Sequence, residues 1–240
     1  MKVVFCRKLQ IQKKVAIIVF TLAITLSMLV SPLISYAVKE YKSTKTVVID
    51  AGHGGEDGGV VGVRTGVKES DLNLKIAFLL GECLKAGGFR VVYTRTSDTM
   101  RTHKDVKNNK KRADMFARGD IINDAKPSAV VSVHMNFYSS PSRRGAQVFF
   151  DKHNESSALF ASTMQDVINR ALNKIGGGRE YSALSAEKYL LSCSPYPSII
   201  VECGFLSNPI DERNLVDERY QILLAQTLYQ GITAFLSALE

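Results

Sequence analysis

Ile199-Ile200-Val201-Glu202-Cys203-Gly204-Phe205-Leu206-Ser207-Asn208 is the stretch on which the fold turns. A β-branched apolar run that ends in a carboxylate and breaks at once into glycine places an acid at the mouth of a buried strand, a costly position unless the acid is used. Two other apolar runs end in the same manner, in histidine: Val47-Val48-Ile49-Asp50-Ala51-Gly52-His53 and Ala129-Val130-Val131-Ser132-Val133-His134. Strand ends carrying His, His and Glu are the parts of a metal-dependent hydrolase site.

Working outward from these runs, strand and helix patterns alternate. Strands are expected at Thr46–Ala51, Arg90–Thr94, Ala129–His134, Ala146–Phe150, Lys188–Ser192 and Ser198–Cys203. Helices are expected between and after them, at Ser70–Ala86, Lys107–Ala125, Glu155–Ile175 and Asp211–Leu239. The first helix lines up Leu72, Ile76, Leu79, Leu80 and Cys83 and stops at Gly87-Gly88; a second glycine stop is Gly176-Gly177-Gly178. This order predicts an α/β fold: one domain, built on a mostly parallel (mixed) twisted sheet of about six strands with helices on both faces. In such sheets the functional crevice lies beyond the carboxyl ends of the strands, where His53, His134 and Glu202 fall.

The N-terminus reads as a targeting segment. Lys2, Arg7, Lys8, Lys13 and Lys14 precede an uncharged stretch from Val15 to Val38, and Ser35-Tyr36-Ala37 offers small residues for cleavage after Ala37. Residues 1–37 are therefore a signal peptide or an N-terminal membrane anchor, 38–45 a linker and 46–240 the catalytic domain. The uncharged stretch is about as long as the roughly 20 residues a bilayer needs, so both fates stay open. Either way the domain is exported, secreted or membrane-anchored on the outer side of the cytoplasmic membrane, and membrane contact runs through the leader if it is retained.

The whole chain carries a net charge of +8 from 31 basic and 23 acidic residues. Removing the five leader cations leaves 26 against 23, too small an excess to indicate a nucleic-acid partner. The excess gathers between Arg101 and Arg118, where it reads as a solvated helix face or as a surface for an anionic polymer. Cys83, Cys193 and Cys203 follow no metal-binding spacing; Cys193 and Cys203 pair if their strands are adjacent and otherwise stay as buried thiols. Strand alternation turns Cys203 away from Glu202.

The glycine-rich turn around His53 lets the backbone fold tightly about a side chain that points into a cleft. A phosphate loop is the competing reading, but no Walker lysine or dinucleotide fingerprint is present. Asp50 is placed to accept the other ring N–H of a ligand histidine. Zinc usually takes three protein ligands, and Glu69, at the N-terminal edge of the first helix, is the best third candidate; otherwise it is an acid favoured by the helix dipole.

Together these segments resemble the zinc-dependent N-acetylmuramoyl-L-alanine amidases, the cell-wall hydrolases called amidase type 3. The resemblance spans about Thr46 to Leu236 and is carried by Val48–Gly55, Lys68–Asp71, Tyr93–Asp98, Ser132–Asn136, Gly145–Val148 and Val201–Asn208. Met135, Phe137 and Cys203 are mild departures from the family pattern. The resemblance implies one Zn2+ held by His53, Glu69 and His134, peptidoglycan as substrate, and Glu202 as catalytic residue. Glu202 then takes a proton from the attacking water and returns it to the L-alanine nitrogen.

Asp50, Arg95 and Asn136 are candidates for supporting the site or contacting substrate, a structural salt bridge being the rival role for Arg95. His103 and His153 read as surface histidines. Lys111-Arg112-Ala113-Asp114, the short leader and the lack of a wall-binding repeat also resemble the sporulation branch, which acts on spore cortex and permits muramic-δ-lactam formation or germination. A vegetative amidase for cell separation or turnover is the alternative, with a zinc peptidase on stem peptides and an inert wall-binding protein behind it. No surplus segment between His134 and Glu202 suggests a covering helix, so an open cleft is expected, and the need for an activating protein partner stays open.

Overall fold

The computed structural model describes residues 20–22, 25, 28, 45–174 and 179–239. The chain divides into two units, Met1–Ser43 and Thr44–Glu240. In the first, the described residues are helical; the rest of the expected leader and nearly all of the linker lie outside the described residues, as does the Gly176–Gly178 stop. No helix among the described residues is long and apolar enough to cross a membrane.

In the second unit, six strands form one sheet in the order β2-β1-β3-β6-β4-β5. They are β1 (Thr46–Ala51), β2 (Arg90–Tyr93), β3 (Ala129–Asn136), β4 (Gln147–Phe150), β5 (Leu184–Ser185) and β6 (Ser198–Phe205). All neighbours are parallel except β4 and β6. The helices are α1 (Glu69–Ala86), α2 (Lys110–Ala125), α3 (Glu155–Ile168), α4 (Tyr189–Ser192), α5 (Pro209–Val216) and α6 (Glu218–Ser237). The sheet is thus mixed and mostly parallel with helices on both faces, as the alternation predicts.

Side-chain alternation sorts the two faces. Val47, Ile49, Val131, Val133, Ile199 and Val201 enter the large core shared with α1, α3 and α6. Val48 and Val130 point the other way, against Ile122 of α2 and Leu190 of α4. Parity then sends Asp50, Ser132, His134 and Glu202 to this second, thinner layer, while Cys203 is buried in the large core. The stripe Leu72, Ile76, Leu80, Leu84 pins α1 to the sheet and so fixes Glu69 at its first turn.

Four expectations need correction. Lys188–Ser192 is no strand: Tyr189–Ser192 is a single helical turn with Leu190 and Leu191 buried, and the sixth strand is the two-residue β5 beside Phe149 and Phe150. The expected helix Asp211–Leu239 is two helices, because the Asp217 side chain accepts from the backbone N–H groups of Arg219 and Tyr220 and caps α6. Glu155–Ile175 gives way after Ile168 to a π-helical turn, Asn169–Asn173. The start of α2 is set by Asn109, whose side chain accepts from Arg112 N–H, and not by Lys107. Both edge strands are short, β2 with four residues and β5 with two.

Candidate metal centre

His134 and Glu202 are register partners across β3 and β6, and the register shifts immediately after them, between His134 and Asn136. A bulge at a strand end re-aims the side chains beside it. On the next strand over, β1 runs into the turn carrying His53, which adopts a left-handed backbone (φ 59°) between Gly52 and Gly54. A non-glycine residue in this region is held there by its surroundings.

Two buried arginines hold it. Arg95 donates from Nε to Ala51 O at 2.8 Å and from Nη2 to Gly52 O at 3.0 Å and Ser70 O at 2.7 Å. Arg118 donates to Ala51 O and His53 O, both at 2.6 Å. Arg95 is 1% exposed and its hydrogen bonds go to main-chain carbonyls, an arrangement that orders the turn.

Glu69 is the hub. Its Oε1 lies 2.9 Å from His134 Nδ1 and 3.3 Å from His53 Nε2, and accepts from Met135 N–H at 3.0 Å. Its Oε2 accepts from Val60 N–H at 2.9 Å, which locks the carboxylate plane. Gly52 packs under the His134 ring, where a Cβ would collide with it. One ligand atom from each of His53, Glu69 and His134 lies within 4.8 Å of the others, a spacing that suits a single ion.

The electrostatics point the same way. Burial raises the carboxyl pKa of Glu69, but the His134 and His53 hydrogen bonds more than offset this and hold it below the usual carboxylate range. Burial opposes a charge on His53, yet Glu69 and Asp57 raise its affinity for a proton. Carboxylates that attract a proton to that imidazole provide the same field for a divalent cation. Burial pushes the Glu202 carboxyl up, against the neighbouring His134 and with the like charge of Glu69. Glu202 Oε2 is buried and has no hydrogen-bond partner among the described residues.

Asp50 does not take the role expected for it. It lies inside β1, fully buried, bonded to Arg118 at 2.7 Å and to the hydroxyls of Thr94 and Ser132. The ring N–H of His53 is met instead by Asp57, whose Oδ2 is 3.0 Å from Nδ1. Asp57 thereby fixes the tautomer that leaves Nε2 facing Glu69. The sequence signal was available: Asp57 is in the same glycine turn, four residues past His53.

Asn136 lines the cleft and uses its Oδ1 to accept from Phe137 N–H at 2.8 Å. His103 is not a free surface histidine: its ring is 12% exposed, 3.0 Å from Asp120 and edge-on to Phe116. His153 is exposed. Neither histidine belongs to the site. The three described cysteines are free thiols. The cleft itself is open, with a volume of 590 Å3.

Fold and site together define a class, that of α/β proteins whose crevice beyond the strand ends carries a His-Glu-His metal-ligand cluster. Residues 47–234 match the N-acetylmuramoyl-L-alanine amidase family, and the chain belongs to it. It is 32% identical over 199 residues to the germination-specific N-acetylmuramoyl-L-alanine amidase of Bacillus subtilis (strain 168), covering 80% of each chain. Among solved structures it resembles the CwlD amidase from Clostridioides difficile in complex with the GerS lipoprotein, with TM-score 0.75, 31% identity and coverage of 81% of this chain and 100% of that one. An N-acetylmuramoyl-L-alanine amidase from Clostridium difficile 630 is similar too, with TM-score 0.70, 29% identity and coverage of 81% and 98%. The protein is thus a peptidoglycan hydrolase that cleaves the amide between N-acetylmuramic acid and L-alanine, a substrate outside the cytoplasmic membrane.

Proposed function

We propose that His53, Glu69 and His134 hold one zinc ion, that Glu202 is the catalytic acid and base, and that the enzyme acts on spore-cortex peptidoglycan. The observation that carries the site assignment is the convergence of the two imidazoles and one carboxylate within 4.8 Å, beside a glutamate whose Oε2 has no partner among the described residues. Two nitrogen donors and one oxygen donor are a zinc-type set with room for a further ligand. When bound there, zinc supplies Lewis acidity toward water and the amide carbonyl.

The chain's own residues do the rest. Glu202, on the strand next to His134, takes a proton from the attacking water and delivers it to the nitrogen of L-alanine as the amide breaks. Burial favours the protonated form of Glu202, which suits the delivery step. Asp57 orients His53, and Arg95 and Arg118 keep the turn beneath it rigid.

The cortex assignment, with muramic-δ-lactam formation or germination as its setting, is supported by the similarity to a relative named germination-specific and to the CwlD amidase. That amidase was solved in complex with a lipoprotein, and we extend to this chain the binding of a protein partner. Export through residues 1–37 as signal or anchor belongs to the same proposal.

The test is mass spectrometry of cortex and vegetative peptidoglycan after digestion, with and without added zinc, beside Glu202→Ala. Zinc-dependent release of intact stem peptides with L-alanine at the N-terminus, faster on cortex, is the expected result. Equal rates on both walls refute the cortex assignment, and cuts within the stem refute the amide-bond chemistry.

A further inference from the structure

The charges lining the cleft can be accounted for one by one. Lys111 is 2.9 Å from Asp57, and its neighbour Lys110 is 2.6 Å from Glu56, so the first turn of α2 is neutralised by acids of the glycine turn. Arg118 is bound to Asp50 at 2.7 Å and Asp114 at 2.8 Å. These pairs take up three of the seven basic residues between Arg101 and Arg118 that the sequence offered as a surface for an anionic polymer. Lys188 also lines the cleft, is exposed, and has no ion-pair partner among the described residues.

Lys188 is also fixed in place. It precedes α4, whose Tyr189 ring stacks on Phe116 with centroids 5.0 Å apart and whose Leu190 and Leu191 are buried. Its carbonyl accepts from Leu191 N–H at 3.0 Å. With its backbone so anchored, Lys188 lines the same cleft as Glu202, and its ammonium stands within electrostatic reach of that carboxylate. A cation positioned on a cleft wall with no internal partner is available to the ligand.

The substrate's chemistry says which half of it this cation meets. A chain of N-acetylated sugars is uncharged, so the anionic groups near the scissile amide are on the peptide. The residue after L-alanine is a glutamate joined onward through its γ-carboxyl, with its α-carboxyl either free or amidated. We propose that Lys188 binds this α-carboxylate and makes the enzyme discriminate free from amidated stem peptides. The proposal rests on the amidase reading of the same cleft and adds a specificity residue to it.

The experiment compares kcat/KM of the full-length chain, loaded with zinc, on N-acetylmuramoyl-L-alanyl-D-glutamate and on its α-amide. Wild type is expected to favour the free acid by about fivefold to tenfold, the range of one partly solvated charge-assisted contact. Lys188→Ala should bring the ratio close to one through a higher KM for the acid, and Lys188→Glu should invert it. An unchanged ratio in Lys188→Ala overturns the proposal and leaves the amidase reading intact. So does an equal fall in kcat on both substrates, which would make Lys188 only a counter-charge for Glu202. A folded wild type that hydrolyses neither substrate overturns the proposal together with the reading beneath it.

Discussion

His134 and Glu202 are paired residues on adjacent parallel strands, one a member of the ligand cluster and the other outside it. Their side chains emerge on the same face from the same level of the sheet, so the imidazole and the carboxylate are spaced by the strand separation of roughly 4.8 Å, which suits the proposed split between metal ligation and proton transfer. No loop has to close to bring them together.

This division of labour separates two variants. Glu202→Gln should lower kcat by roughly 10²- to 10⁴-fold with the zinc content of the purified protein unchanged. His134→Ala should lose the metal as well as the activity. Metal analysis and turnover on the same preparations decide it, and equal zinc loss in both variants would remove Glu202 from its catalytic role.

Gly52 lies beneath the His134 ring so closely that any Cβ displaces it. Gly52→Ala should therefore weaken zinc binding by about 10- to 100-fold, the effect usual for losing ligand orientation. Competition with a zinc chelator measures it. Wild-type affinity in a folded Gly52→Ala protein would mean that the ring has another stable position.

Asp57 acts one step behind the cluster, through His53 Nδ1. Asp57→Ala should likewise lower zinc affinity, again about 10- to 100-fold, while activity returns at saturating zinc. Persistent inactivity at full occupancy would instead assign Asp57 a direct part in the chemistry.

Asp50 makes stability depend on pH. Burial raises its pKa, but Arg118, Ser132 and Thr94 outweigh burial and bring it from 3.8 to about 2. A carboxyl with a depressed folded-state pKa stabilises the fold fully above its unfolded value and loses that contribution as pH falls toward the folded value. The window is therefore pH 4 to 2, and the contribution at neutral pH is roughly 2 kcal/mol. Urea midpoints of wild type should fall through this window, whereas Asp50→Asn should start lower, by about 3 kcal/mol for a buried Arg118 left with Asp114 alone, and respond less to acid. Parallel pH curves for the two proteins would contradict the assignment.

What the sequence revealed followed from burial. The runs ending at Ala51, His134 and Glu202 are central strands, apolar on both faces, and such runs are visible without alignment. Strand parity then separated Glu202 from Cys203 correctly. Asp50 falls in the strand as expected, but its separation of three residues from His53 suggests a bond to a ligand histidine, whereas its carboxylate is taken up by Arg118, Thr94 and Ser132. Lys188–Ser192 reads as a strand because so short a segment with two buried leucines fits one helical turn as well as an alternation. The pairing of Asp57 with His53, and of Arg118 with Asp50 across 68 residues, depends on tertiary geometry that no local pattern encodes.

The short edges of the sheet matter for where this enzyme works. Beyond the cytoplasmic membrane no ATP-driven chaperone recovers a chain that has paired with the wrong neighbour. A sheet that exposes only four residues of β2 on one side, opening with Arg90, and two residues of β5 on the other gives foreign strands little to extend. The hydrolase can therefore be kept at high local concentration in a crowded wall without its central sheet seeding aggregates.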